Sequence, residues 1–412
     1  MRVAGKGLLD RGQTVGFRFD GRDYTGFEGD TLASALLAAG VRVVGRSFKY
    51  HRPRGIMCAG SEEPNALVSV GQGAALVPNV RATMQEIFPD LVARSQNRWP
   101  SLAMDVMAVN DLLSPFLSAG FYYKTFMWPR SFWEKLYEPA IRRAAGLGAL
   151  SGLHNDENYE KAWAHCDLLV IGAGPAGLMA ALTAGRSGAD VILADEDARM
   201  GGRLLAESEE VAGKPGALWV AEVLAELQGL PNVRLMSRTT VTGAYDGGTF
   251  GALERVGLHL GAAPKGLARE CFWRIVARRA ILATGALERP IAFAMNDRPG
   301  IMMAGAVRAY LNRWGVAAGQ SVALFGNNDD AHRTARDLAA AGVKVAAVVD
   351  VREDVPQVGD WPVFAGAQVV GTRGRLGLRE ISVRTAAGQV ERITADCLAV
   401  SGGWNTTLHL AC

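Results

Sequence analysis

Residues 167–197 read DLLVIGAGPAGLMAALTAGRSGADVILADED, and they restrict the possible folds more than any other stretch. An apolar run, 167–171, has the length of a buried strand. It runs directly into Gly172, Gly174 and Gly177, spaced G-x-G-x-x-G, at the head of a helix expected from Pro175 to Arg186. A second apolar strand, 191–194, ends at Asp195, 23 positions after Gly172. Each part has a physical task. Gly172 permits a tight turn, Gly174 lets backbone approach a diphosphate, and Gly177 lets helix and strand pack closely. With Pro175 and Ala176, they place free N–H groups and the positive end of a helix dipole where phosphates bind. Asp195 is positioned to accept hydrogen bonds from ribose hydroxyls. The expectation is a dinucleotide-binding βαβ unit.

The acids after that strand bear on which dinucleotide. Asp195, Glu196 and Asp197 would repel a 2′-phosphate, which favours NAD or FAD over NADP. The glycine pair in MGGRLL (200–205) brings Arg203 back towards the ligand, as a partner for phosphate or for the ribose-binding acid. RRAILATGALERP (278–290) reads as a strand closing at Ala283-Thr284-Gly285, with Thr284 and Gly285 beside the nucleotide. RTTVTGAYD (238–246) is a β-branched strand at the edge of the same site, and Val241 and Thr242 are candidates to meet the adenine or else plain sheet core.

SVALFGNNDDAHRTARDLAAAGVKVAAVVD (321–350) repeats the strand–helix–strand layout. Of its glycines only Gly326 remains. Asn328 and Ala331 take the other two positions, and Asp329 and Asp330 bring negative charge to where phosphate would sit. It reads as a Rossmann unit kept for architecture. No Ser-His-Asp arrangement, metal-ligand spacing or redox C-x-x-C is present, so no catalytic and no metal-binding residue is assigned. His51 and His332 read as structural.

The N-terminal region has a different pattern. Val15, Phe17 and Phe19 alternate with polar residues, and Asp20-Gly21 suits a hairpin turn before Tyr24 and Phe27. Asp30 or Thr31 caps a helix through Ala39, and a strand is expected over 65–70. FDGRDYTGFEGDTLASALLAAGV looks like the opening of a plant-type ferredoxin, whose two-iron cluster needs four cysteine thiolates. The loop RSFKYHRPRGIMCAG (46–60) offers Cys58 alone. It also overlaps a run of five cations between residues 42 and 54, Arg42, Arg46, Lys49, Arg52 and Arg54, with no acid among them. This loop reads either as solvated or as a basic surface for a partner subunit or a flavin phosphate.

Between residues 89 and 163 the composition shifts, with nine aromatic residues from Phe116 to Tyr137. Short helices and loops wrapping over other structure are expected, or a docking surface. The expected fold class is α/β, a two-dinucleotide-domain architecture with an N-terminal ferredoxin-like β-grasp module. Its divisions are 1–88, the module without its cluster; 89–163, a wrapping segment; 164–300 with 367–412, the NAD-binding domain; and 301–366, the degenerate unit. A formal charge of +3 gives no argument for nucleic acid. The scattered cysteines, the absence of a long apolar run and the absence of a secretory h-region predict a cytoplasmic protein without a membrane segment.

Together these motifs resemble the alpha subunit of heterotetrameric sarcosine oxidase. The most specific matches are FDGRDYTGFEGDTLASALLAAGVRVVGRSFKYHRPRGIMCAGSEEPNALV (19–68) and AVSGGWNTTLHL (399–410). A weaker resemblance is to the large subunits of opine and amino-acid dehydrogenases. The first resemblance implies NAD at the glycine fingerprint, contacted at Ala176, Asp195, Glu196 and Arg203. It implies FAD and FMN on or shared with a beta subunit, further small subunits, and conversion of sarcosine to glycine with peroxide formed and tetrahydrofolate taking the one-carbon unit. Alpha subunits of that family continue into a folate-binding domain. This chain ends at Cys412, which predicts a shortened chain without folate binding and with an incompletely closed nucleotide domain.

Overall fold

The computed structural model describes residues 1–117, 120, 128–261, 264–355 and 357–411. The N-terminal module is a five-stranded sheet in the order Arg22–Phe27, Thr14–Phe19, Leu91–Ser95, Leu67–Val70, Val77–Arg81. Val15, Phe17 and Phe19 point inward, as their alternation requires. Asp20 and Gly21 both take positive φ (49° and 78°), which matches the twist of a two-residue hairpin turn. Thr31, not Asp30, is the helix cap: its Oγ1 accepts from the Ser34 amide (3.1 Å) while the Ser34 hydroxyl accepts from the Thr31 amide (3.0 Å). Helix Leu32–Ala38 then lies almost wholly buried against the sheet. The module runs past the expected boundary at 88. Leu91–Ser95 is its central strand, parallel to Thr14–Phe19, and its brevity and mixed polarity hide it in the sequence.

The first dinucleotide-type unit has strands in the order Val233–Met236, Val191–Ala194, Tyr159–Ile171, Glu270–Leu282, Thr249–Glu254, Thr239–Tyr245. The first four are mutually parallel, and the last two turn back antiparallel as a meander. The strand expected at 167 begins at Tyr159, so the wrapping segment stops short of 163. Its first half alternates exposed and buried positions as a ribbon against Glu270–Ala277, and therefore lacks the apolar run that marks 167–171.

The second unit has a parallel sheet in the order Ile301–Met303, Cys397–Ser401, Ser321–Gly326, Lys344–Asp350, Val363–Phe364. Cys397–Ser401 is an inner strand of this sheet, between Ile301–Met303 and Ser321–Gly326, and a meander, Gln368–Arg373, Glu380–Arg384 and Val390–Thr394, packs onto it through Val369, Ile381 and Val383. Residues 367–401 therefore belong to the second unit, not to the first as expected. An inner strand that arrives last in the chain must come from far along the sequence, and local pattern does not show which sheet it will enter. The chain then returns to the first unit: Trp404–Thr406 pairs with Ala286–Glu288 as a ribbon between the two units, and Leu410 packs against the first unit's core.

One hydrophobic core joins the N-terminal module to the second unit. Phe17, Leu32, Leu36 and Leu91 share it with Val307, Tyr310, Leu311 and Trp314. Among the described residues, no helix is long and apolar enough to cross a membrane.

Candidate functional site: an open dinucleotide cradle

The glycine loop is built as its spacing requires. Gly172 has φ +99°, and a β-carbon there would lie 2.4 Å from the Ala283 carbonyl oxygen. At Gly177 it would lie 1.8 Å from the Gly172 oxygen, so nothing larger fits. Gly174 caps helix Pro175–Arg186, and a β-carbon there would meet nothing within 4 Å. Pro175 and Ala176 are exposed, so the helix tip is open. The turn Ala283-Thr284-Gly285 closes over Gly172: the Ala283 amide donates to Ile171 O (2.8 Å), and the Thr284 hydroxyl donates to Thr407 O (2.9 Å).

Asp195 turns towards the loop. Its Oδ2 accepts from the Ala173 amide (2.6 Å) and its Oδ1 from the Asp197 amide (2.8 Å). Burial, reinforced by the neighbouring acids and only partly offset by these amides, raises its carboxyl to about 6. The other two acids face elsewhere. Glu196 Oε1 accepts from the Ser61 hydroxyl of the N-terminal module (2.6 Å). Asp197 is gripped by Arg313 through two bonds of 2.5 and 2.7 Å. Burial opposes its ionisation, but the guanidinium holds its carboxyl below the usual range. Glu196 and Asp197, expected as cofactor contacts, thus spend their carboxylates on intramolecular partners.

Arg203 follows Gly202, whose β-carbon would fall 2.9 Å from Gly174 Cα. It is paired with Glu207 (2.7 Å) and Asp330 (3.1 Å), and its guanidinium lies 4.0 Å from the centroid of the Trp404 ring. Val241 and Thr242 lie just beyond Thr239, whose amide donates to Asp195 O (2.7 Å). Val241 also packs against the sheet core, and Thr242 Oγ1 bonds Gly251 O (3.2 Å) at a bulge.

The corresponding helix tip of the second unit is filled by its own side chains. Asn328 caps helix Asp329–Ala340 by accepting from the Asp330 amide (3.0 Å). Asp330 then bonds the buried Arg308 (2.9 Å), and Asp329 pairs with Arg352 (2.9 Å). His51 and His332 are buried on Asp105 (2.7 Å) and Asp350 (2.9 Å).

The basic run is not the bare cationic surface considered as one reading. Arg42 bonds Ala318 O, Arg46 bonds His51 O (2.8 Å), Arg52 bonds Asp111 (2.8 Å), and Arg54 bonds Asp297. Apart from His51, those acceptors lie outside the run, so the local charge count overstated its free charge. Inside the loop, the buried Glu63 carboxylate accepts from four backbone amides: Cys58 (2.6 Å), Asn65 (2.7 Å), Met57 (2.8 Å) and Ala66 (3.1 Å). Burial pushes the Cys58 thiol up, against deprotonation. No group of three or more metal-ligating side chains occurs among the described residues. The donor set of this loop does not fit an iron–sulfur cluster. Ser61, Arg313 and Arg308 escaped sequence reasoning because each acts on a partner far along the chain, and Glu63 because its partners, though near, are backbone amides that carry no side-chain signal.

Comparison with known proteins places these features. Residues 12–98 match the family described as 2Fe-2S iron-sulfur cluster binding domain, and residues 167–228 match FAD dependent oxidoreductase. The L-proline dehydrogenase of P. horikoshii superposes over 99% of this chain and 63% of its own, with a TM-score of 0.64 at 20% identity, a likeness of fold. The chain therefore has a fold like that of flavoprotein oxidoreductases, with a ferredoxin-like module ahead of its dinucleotide-type units. Over nearly all of its length its sequence is similar to part of the sarcosine oxidase alpha subunits. It is 57% identical to the sarcosine oxidase alpha subunit of Rhizobium meliloti (strain 1021) across 100% of its own length and 42% of that protein's. It is 38% identical to that of Corynebacterium sp. (strain P-1) across 98% and 38%. An opine oxidase subunit of Agrobacterium tumefaciens (strain Ach5) is 35% identical over 45% of this chain and 37% of its own. The chain thus spans less than half the length of these relatives.

Proposed function

We propose that this chain binds NAD at the glycine fingerprint and forms the dinucleotide-carrying part of an alpha subunit in a sarcosine oxidase. In that assembly sarcosine is oxidatively demethylated to glycine with peroxide formation, and amine oxidation takes place on a partner subunit. The observation that carries the reading is the open helix tip with Asp195 beside it. A diphosphate lies on the amides of Gly174, Ala176 and Gly177, favoured by the helix dipole. Asp195 accepts from the adenosine ribose, Val241 and Thr242 border the adenine, and Thr284 and Gly285 cover the loop. Arg203 swings from Asp330 to a phosphate. Glu196 and Asp197, though engaged elsewhere, keep the region anionic and disfavour a 2′-phosphate. Bound NAD would supply a ring able to exchange hydride. No residue of this chain is assigned to amine oxidation.

A second reading puts FAD in the same cradle, and the match of residues 167–228 to FAD dependent oxidoreductases favours it. Denaturing the purified chain and identifying the released nucleotide by mass spectrometry separates the two. NAD supports the first reading. FAD with a yellow flavin spectrum supports the second. A chain that releases neither and gains no thermal shift from either overturns both.

FAD and FMN, in the first reading, are held on or shared with a beta subunit, and smaller subunits complete the complex. Leu112, Phe116 and Trp128 are each at least 80% exposed, as expected of aromatic and apolar anchors awaiting a partner. Much of the aromatic run, 121–127, lies outside the described residues. Replacing Leu112 and Trp128 by serine should abolish co-purification with a co-expressed beta subunit, and unchanged assembly would refute this surface.

A further inference from the structure

Glu288 stands in the ribbon between the two dinucleotide-type units, three residues beyond Gly285 and opposite Trp404. Its Oε2 accepts from the Gly305 amide (2.7 Å) in the first turn of helix Ala304–Trp314. Its Oε1 is buried and has no hydrogen-bond partner among the described residues. The neighbouring Ser401 hydroxyl donates instead to Asn328 Oδ1 (3.3 Å) and accepts from Asn328 Nδ2 (3.1 Å). Burial, only partly offset by the Gly305 amide, raises the Glu288 carboxyl to about 7. A buried acceptor left without a donor is costly, and in native proteins it calls for an explanation.

The surroundings supply one. Gly305 is bare where a β-carbon would lie 2.9 Å from Glu288 Oε2 and 3.1 Å from the Trp404 ring, so carboxylate and indole meet at one point. The same indole is covered by Arg203, which begins at the phosphate loop through the close approach of Gly202 to Gly174. Gly202 and Arg203 thus link the phosphate loop at Gly174 to Trp404 and Glu288, the way open to the second half of a dinucleotide whose adenosine ribose sits on Asp195. Arg203 can leave without stranding a buried charge. Asp330 keeps Arg308 (2.9 Å) and the Trp404 indole N–H (3.1 Å).

Resting on the NAD reading above, we propose that Glu288 is a binding residue for the second half of the dinucleotide. Its free Oε1 accepts an N–H from the carboxamide on the nicotinamide ring. Trp404 forms the floor of the ring site, and Arg203 covers that floor when the site is empty.

The test compares ligands by calorimetry and thermal shift on the nucleotide-stripped chain at about pH 8, where the carboxyl is ionised. NAD is set against ADP-ribose, which lacks the ring, and against nicotinic acid adenine dinucleotide, whose carboxylate replaces the carboxamide. NAD should bind about tenfold more tightly than either, the worth of one well-placed hydrogen bond to a charged acceptor. Glu288→Ala should bring NAD to the ADP-ribose level and leave ADP-ribose unchanged. Equal affinity of the wild-type chain for NAD and ADP-ribose overturns this proposal alone. So does equal affinity for the amide and acid dinucleotides, a comparison that needs no variant to fold. Failure of all three ligands to bind overturns the NAD reading with it.

Discussion

Asp195 shows how one side chain ties protonation to ligand affinity. Its folded-state value, about 6, lies above its ordinary 3.8, so the folded chain holds the proton more firmly than the unfolded one. Its contribution to stability is full below 3.8 and is lost as pH rises through about 6. A ribose hydroxyl donating to Asp195 favours the ionised form and so has the opposite dependence. NAD affinity should therefore rise up to about tenfold per pH unit on approaching 6 from below and then level off. Asp195→Asn should flatten that profile, measured by calorimetry across the range. Gly177→Ala places a methyl group 1.8 Å from the Gly172 oxygen, and the backbone must move. The expected result is loss of NAD binding, with destabilisation of about 2 kcal/mol or more seen in denaturant melts. The glycines and Asp195 were legible because their spacing in the chain is their spacing in the site. Arg313 was not: it meets Asp197 from 116 residues away, and nothing around either residue announces the other.

Among the elements, the expected helix from Pro175 to Arg186 and the strands at 191–194 and 321–326 were clear, because apolar periodicity is a local signal. Leu91–Ser95 and the first half of Tyr159–Ile171 were hidden because pairing, not composition, makes them strands. The Arg313–Asp197 contact pins helix Ala304–Trp314 to the turn after Val191–Ala194. The Asp197 carboxylate is about one-third exposed, so the cost of breaking the pair is well below that of a fully buried one. Arg313→Met should destabilise the chain by about 1–2 kcal/mol and loosen NAD binding, by denaturant melt and calorimetry. The Glu63 loop is different, because Glu63 is 1% exposed and holds four amides at once. Glu63→Ala strands those donors and should cost about 3 kcal/mol or more, with faster hydrogen exchange at Met57, Cys58, Asn65 and Ala66.

For the molecule as a whole, the decisive feature is the shared core of the N-terminal module and the second unit. Tyr310 and Trp314 are buried against residues of the module, and the Tyr310 hydroxyl bonds Cys58 O (2.9 Å). Removing residues 1–98 should leave an insoluble remainder, and the intact chain should melt these two parts in one calorimetric transition. Separate transitions would refute this coupling. The fold class was readable from the order of motifs, whereas the merging of two modules into one core was not, since each half looks complete alone. Glu63 gives that merger a further meaning. Amides converging on a point will stabilise whatever anion sits there, and here the tenant is a carboxylate with no redox states. The module thus acts as a wedge, its own anion cradle locked from within while its outer faces grip Tyr310 on one side and Glu196 on the other.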